Sequence, residues 1–127
     1  MPRVSSAFFL VAALCGLAGM VWGSHMGVTG DHSLHPVHAH LNLLGWVTLA
    51  IMGGFYALPG VPAPGVLAWV NLVLSAGGAI LMAALLPQVM MNRLPGQVMM
   101  VSEIPIILGM VCFIIAVIGS WRRPAAA

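Results

Sequence analysis

The sequence predicts an all-α integral membrane protein, a single four-helix bundle spanning residues 1–127, and three observations predict it. Hydrophobic residues make up 61% of the chain and charged residues 5%, with a mean hydropathy of +1.09. Soluble domains devote about a quarter of their residues to charge. The charged side chains are Arg3, Asp31, Arg93, Glu103, Arg122 and Arg123, too few to clothe a 13.3 kDa globule in water. Finally, four apolar stretches each approach the roughly 20 residues that a helix rising about 1.5 Å per residue needs to cross a hydrocarbon core of about 30 Å.

The first stretch, residues 5–23, begins after Arg3 and ends at Val21-Trp22-Gly23. That ending loosely fits a signal-peptide cleavage pattern. The run is long for a signal core, however, and Trp22 suits an interface anchor, so the stretch reads as a retained span. Thr29-Gly30-Asp31 and Pro36 break the chain before the second span, residues 37–58. The run Pro59-Gly60-Val61-Pro62-Ala63-Pro64 separates it from the third, residues 65–86. Pro87 and Asn92-Arg93-Leu94-Pro95-Gly96 precede the fourth, residues 98–121. Arg3, Arg122 and Arg123 flank the termini, while the loops after spans one and three together carry one arginine, Arg93. The positive-inside rule then puts both termini in the cytoplasm and the histidine-bearing loop outside, in the periplasm of a bacterial inner membrane.

Nucleic-acid binding is excluded as a class. A net charge of +2 leaves no basic stripe to track phosphates. Cys15 and Cys112 each lie in an apolar run and read as packing residues, not as a disulfide or a redox pair.

The chemistry concentrates in the histidines. All five, His25, His32, His35, His38 and His40, fall within sixteen residues. His38 and His40 open the second span two residues apart, which on a helix is about 200° of rotation and about 3 Å of rise. Their imidazoles therefore point to opposite faces at nearly one depth, where each can serve a different cofactor. Gly45, seven residues after His38, is expected two turns beneath it, leaving backbone without bulk where a flat macrocycle would hang. Glycine in a membrane helix more commonly serves close packing, and a lone interfacial histidine commonly sits among headgroups. The His-Ala-His pair backed by Gly45 and Trp46 favours the ligand reading.

The string HAHLNLLGWVTLAIMGGFYAL, residues 38–58, resembles the tenth helix of the catalytic subunit of the heme-copper oxidase superfamily, especially its nitric oxide reductase and cbb3-type branches. In that family a His-x-His followed by Gly or Gly-Trp binds one heme through each histidine, on opposite faces. The family arranges twelve helices as three arcs of four, with heme ligands on the second helix of each arc. This chain resembles one arc. The resemblance implies a homotrimer of twelve helices, with a b-type heme at each interface held by His38 of one copy and His40 of the next. It also implies that Arg93, in the loop between the last two spans, pairs with a heme propionate, although the family has two arginines there. The copper-binding histidine trio and the cross-linked tyrosine of the oxidases are missing, which argues against oxygen reduction. Two axial imidazoles leave no open iron position, so the expected role is electron transfer or redox or gas sensing, with donor and acceptor unidentified. No Cys-x-x-Cys-His is present, which rules out covalent attachment.

Two other functions compete. His25, His32 and His35 lie near Met20, Met26, Met90, Met91, Met99 and Met100 in the expected outer region, and imidazoles with thioethers suit copper. A structural small subunit of a respiratory complex is the third reading. Gly16, Gly19 and the run Ser75-Ala76-Gly77-Gly78-Ala79 are expected to form either trimer contacts or packing within one bundle. Glu103, near the start of span four, is expected to pair with Arg93, to satisfy the helix start, or to accept protons beside His25.

Overall fold

The computed structural model describes residues 1–59, 61 and 65–121, and every regular element among them is helical. The first helix, α1 (Arg3–Thr29), runs past the expected end at Gly23. It stops where Gly30 adopts a left-handed conformation, φ 69°, and donates its N–H to the Met26 carbonyl. Only glycine takes that φ cheaply, so the chain ends there and not at the edge of the apolar run. His25 consequently sits on a helix.

The second helix, α2, covers residues 35–57 and is composite. An α-helical turn, His35–His40, passes into a π-helix, Leu41–Thr48, and then into an α-helix, Leu49–Ala57. Pro36 lies in its first turn, where a missing N–H costs nothing. The third helix, α3 (Val66–Met90), continues through Pro87, which the sequence marks as a break. So close to the C-terminus the proline removes little of the ladder, and Met91 still donates to the Pro87 carbonyl. The fourth helix, α4 (Met100–Trp121), is entered through a 3₁₀ turn at Gly96–Met99. Three of the helical stretches, Arg3–Thr29, Val66–Met90 and Gly96–Trp121, are long and apolar enough to cross a membrane. Arg122 and Arg123, on which the expected orientation rests, lie outside the described residues, as does most of the proline-rich linker.

Each helix packs mainly on its neighbours in sequence: α1 on α2, α2 on α3, α3 on α4. The result is an open row more than a closed bundle, and α4 exposes most of its circumference, including Ile104, Ile107, Ile114 and Ile115. The apolar core gathers at the end where both termini lie. Val4, Phe8 and Ala12 of α1 meet Leu49, Met52 and Tyr56 of α2 and Ala68, Leu72 and Ala76 of α3. Phe8 stacks on Tyr56 with centroids 5.7 Å apart, and Phe113 of α4 meets Phe55 edge-on at 5.2 Å. A buried polar chain crosses this core. Asn71, fully buried, donates through Nδ2 to the Tyr56 hydroxyl (3.0 Å), and the Ser75 hydroxyl donates to Asn71 Oδ1 (2.9 Å). Bonds between membrane helices average about 0.6 kcal/mol, and the Asn71–Tyr56 bond ties α2 to α3 while Ser75 orients Asn71 from within α3.

Most of the small residues turn out to be intrachain contacts. A Cβ on Gly78 would lie 2.6 Å from Ile106 Cγ1 and 2.9 Å from the Ser102 carbonyl oxygen, so α3 and α4 touch through backbone. A Cβ on Gly109 would collide with Ser75. Gly77, next in sequence, meets nothing within 4 Å. The trimer-contact reading of Gly78 is therefore corrected: Ile106 and Ser102 of the same chain already occupy its surface.

Gly78→Ala should lower the thermal midpoint of the detergent-solubilised protein, at a cost of about 1–3 kcal/mol for overpacking. Gly77→Ala should leave it unchanged or raise it slightly. Equal effects from both substitutions would contradict the close α3–α4 contact.

Candidate functional site

Because the helices run antiparallel, the C-terminus of α1, the N-terminus of α2, the C-terminus of α3 and the start of α4 meet at one end, opposite the aromatic core. All five histidines, Asp31, Arg93 and Glu103 collect there. The fold thus brings the candidate residues to one end, but it does not give them one common centre.

His38 faces α1. A Cβ on Gly23 would lie 3.0 Å from His38 Cε1, so the half-buried ring rests on that glycine. Asn42, one turn on, occupies the notch at Gly19, where a Cβ would meet its amide, and its Nδ2 donates to the His38 carbonyl (2.8 Å). The same Nδ2 lies 3.4 Å from both ring nitrogens, too far for a strong bond. Trp46 covers Gly16, with ring carbons 3.0 Å from where a Cβ would stand. Gly45 is buried against Cys15, whose Cβ and Sγ would each be 2.9 Å from an added Cβ. Gly16, Gly19 and Gly23 of α1 therefore form a groove into which α2 settles.

This geometry corrects one expectation. The space at Gly45 is filled by Cys15, so no macrocycle hangs beneath His38 in this arrangement. His38 and Gly45 do share one face of α2, but α1 covers that face, and Cys15 takes the space beside Gly45. The trimer reading of Gly16 and Gly19 is corrected likewise, since Trp46 and Asn42 of the same chain cover them.

His40 differs. Its ring is exposed, and Nδ1 lies 2.7 Å from the Pro36 carbonyl oxygen. A carbonyl only accepts, so Nδ1 is the donor, and in the neutral ring Nε2 carries the lone pair. Leu43, Val47 and Ile51, all exposed, continue the apolar surface of α2 below it. His32 is set the same way by its Nδ1 contact with the Gly30 carbonyl, 2.9 Å. His40 thus presents a ring nitrogen on an exposed face, whereas His38 rests in the groove of α1.

The three-histidine set for copper is not assembled. Among the described residues no three His, Cys, Asp or Glu side chains come together at metal-binding distance, so His25, His32 and His35 do not converge. The Asp31 carboxyl accepts the Ser33 backbone N–H at 2.9 Å. That bond, the Ser33 hydroxyl and the nearby His25 and His32 hold it below the usual carboxylate range. Arg93 is exposed, and among the described residues its side-chain hydrogen bond is to Gln88 Oε1 at 3.5 Å. Glu103 is exposed in the first turn of α4, where a carboxylate complements the helix dipole.

Sequence reasoning missed the π segment, although two polar residues mark it. Asn42 bonds the His38 carbonyl, and Thr48 Oγ1 donates to the Leu43 carbonyl five residues back (2.7 Å). No family model, curated protein or solved structure matches the chain.

The Cys15–Gly45 contact yields a swap test. Gly45→Ala alone should destabilise the protein, and Cys15→Gly with Gly45→Ala should recover part of the loss, with a coupling of about 0.5–3 kcal/mol. Strictly additive effects would mean that the two helices do not meet there. For Asp31 the sign follows from its lowered value: the turn is held while the carboxylate is charged and loosens as pH falls through that value. Protection of the Ser33 amide from hydrogen exchange should fall accordingly.

Proposed function

We propose that the chain is a membrane-embedded b-type heme protein that transfers electrons or senses redox state or a gas, with His40 as an axial ligand. The observation that supports this is the 2.7 Å bond from His40 Nδ1 to the Pro36 carbonyl. Metal-ligating histidines almost always donate their second ring nitrogen to a carbonyl or carboxylate, which fixes the tautomer and aims the other nitrogen at the metal. His40 has this arrangement on an exposed apolar face. The bound heme would supply a one-electron iron couple. His40 would orient the iron, and Leu43, Val47 and Ile51 would exclude water from one side of it. Arg93, at the same end of the fold and exposed, suits a charge-assisted pair with a propionate.

A site on an outward face is closed by something outside the protomer. In this reading it is a second and third copy, in the homotrimer that the likeness to one arc of a heme-copper oxidase suggests, within a bacterial inner membrane with both termini cytoplasmic. His38 completes the ligand pair only by leaving Gly23. Assembly and the rotation of His38 are then one event.

The test is a reduced-minus-oxidised visible spectrum of the purified protein in detergent, with heme counted per chain. Sharp low-spin bands at one heme per chain are expected, and His40→Ala should abolish them. A colourless wild-type protein, or full retention by His40→Ala, would sink the reading. His38→Ala separates the assemblies: loss of the bands supports a ring in which His38 has turned outward, and retention assigns the second position to another group.

A further inference from the structure

The last turns of α1 and the loop that follows form a partly open cavity of about 120 Å³ lined by Trp22, His25, Met26, Asp31, Ser33 and Leu34. It owes its shape to spacing. Trp22, His25 and Met26 lie three and four residues apart on one face of α1, and the stop at Gly30 folds Asp31 and Ser33 back over them. A water molecule's share of the liquid is about 30 Å³, so the space exceeds what one ion requires. The Asp31 carboxylate, steadied by the Ser33 N–H, forms part of one wall. Met26, 6% exposed, lines the cavity from the packed side.

We propose that this cavity binds a single copper(I) ion through the His25 imidazole, the Met26 thioether and the Asp31 carboxylate, with the Trp22 indole as an aromatic wall. The chemistry of the donors selects the ion. Thioethers favour soft monovalent copper and do little for zinc, for which the cavity offers only one imidazole and one carboxylate. Calcium and magnesium need six or more oxygen ligands, far more than this wall supplies. An indole face attracts a cation beside it, and Asp31 neutralises its charge. This set differs from the one expected from sequence: His25 stays, Asp31 and Met26 join it, and His32 and His35 drop out because they do not line the cavity. The proposal is independent of heme, since His40 and His38 do not line it either.

The experiment is anaerobic titration of the full-length protein in detergent with copper(I) against a chromophoric copper(I) chelator, with tryptophan emission recorded in parallel. One copper(I) per chain is expected, with quenching that disappears in Trp22→Phe. His25→Ala and Met26→Leu should each weaken binding at least about tenfold, the scale on which even supporting groups of metal sites act. Both should fold, because His25 is exposed and Leu nearly matches the volume of Met. His32→Ala and His40→Ala should bind as the wild type does, so loss of heme colour and loss of copper would be read separately. Absence of copper(I) binding would overturn the proposal. So would binding lost in His32→Ala but kept in His25→Ala, or displacement by an equal concentration of zinc.

Discussion

The close approach of α1 to α2 is the constraint on which the rest of this structure depends. In lipid no hydrophobic effect draws helices together, and contact has to come from shape. Gly16, Gly19 and Gly23 repeat every three or four residues along α1 and remove side chains from one face, so Trp46, Asn42 and His38 of α2 lie directly on its backbone. Cys15 and Gly45 reverse the roles beside the Gly16–Trp46 contact, with the bulk on α1 and the gap on α2. That interlock decides which imidazole is sequestered and which faces outward. His38 is committed to the groove, and His40, on the other side of the same helix, is left free.

The π segment, residues 41–48, lies inside this interlock, with Gly45 against Cys15 on one side and the exposed stripe below His40, through Leu43, Val47 and Ile51, on the other. π segments frequently occur at functional sites. Here Asn42 and Thr48 give carbonyls at its border and within it additional hydrogen bonds.

Much of the architecture was legible in the sequence because membrane thickness is a strict ruler. The apolar runs and the Pro/Gly breaks located four helices, and the opposite orientation of His38 and His40 followed from helical rotation alone. Helix ends were less legible. Gly30 stops α1 through its φ, six residues beyond the point where hydropathy fades, and Pro87 interrupts nothing because so little helix follows it. The environment of Gly45 was not legible, since periodicity places a residue on a face but does not say which neighbouring helix fills that face, here α1 through Cys15. Nor did spacing reveal that Tyr56 meets Asn71, because that contact joins two helices. The cavity at Trp22, His25 and Asp31 depends on the return of a loop, which a count of histidines does not describe.

The separation of the aromatic core from the histidines has a thermodynamic consequence. Phe8, Tyr56, Phe55 and Phe113 hold the end bearing the termini, while the opposite end relies on glycine contacts and a few buried side chains such as Met26, Val37 and Met82. Opening events in proteins span a range of free energies, and regions with few buried apolar contacts open first. Any ligand taken up at the histidine end therefore clamps the part of the molecule that opens most readily. It adds stability that grows with ligand concentration as RT ln(1 + [L]/Kd). Resistance to local unfolding at that end then reports occupancy, and a protease or exchange probe placed there would read ligand supply without any measurement of electrons or metal.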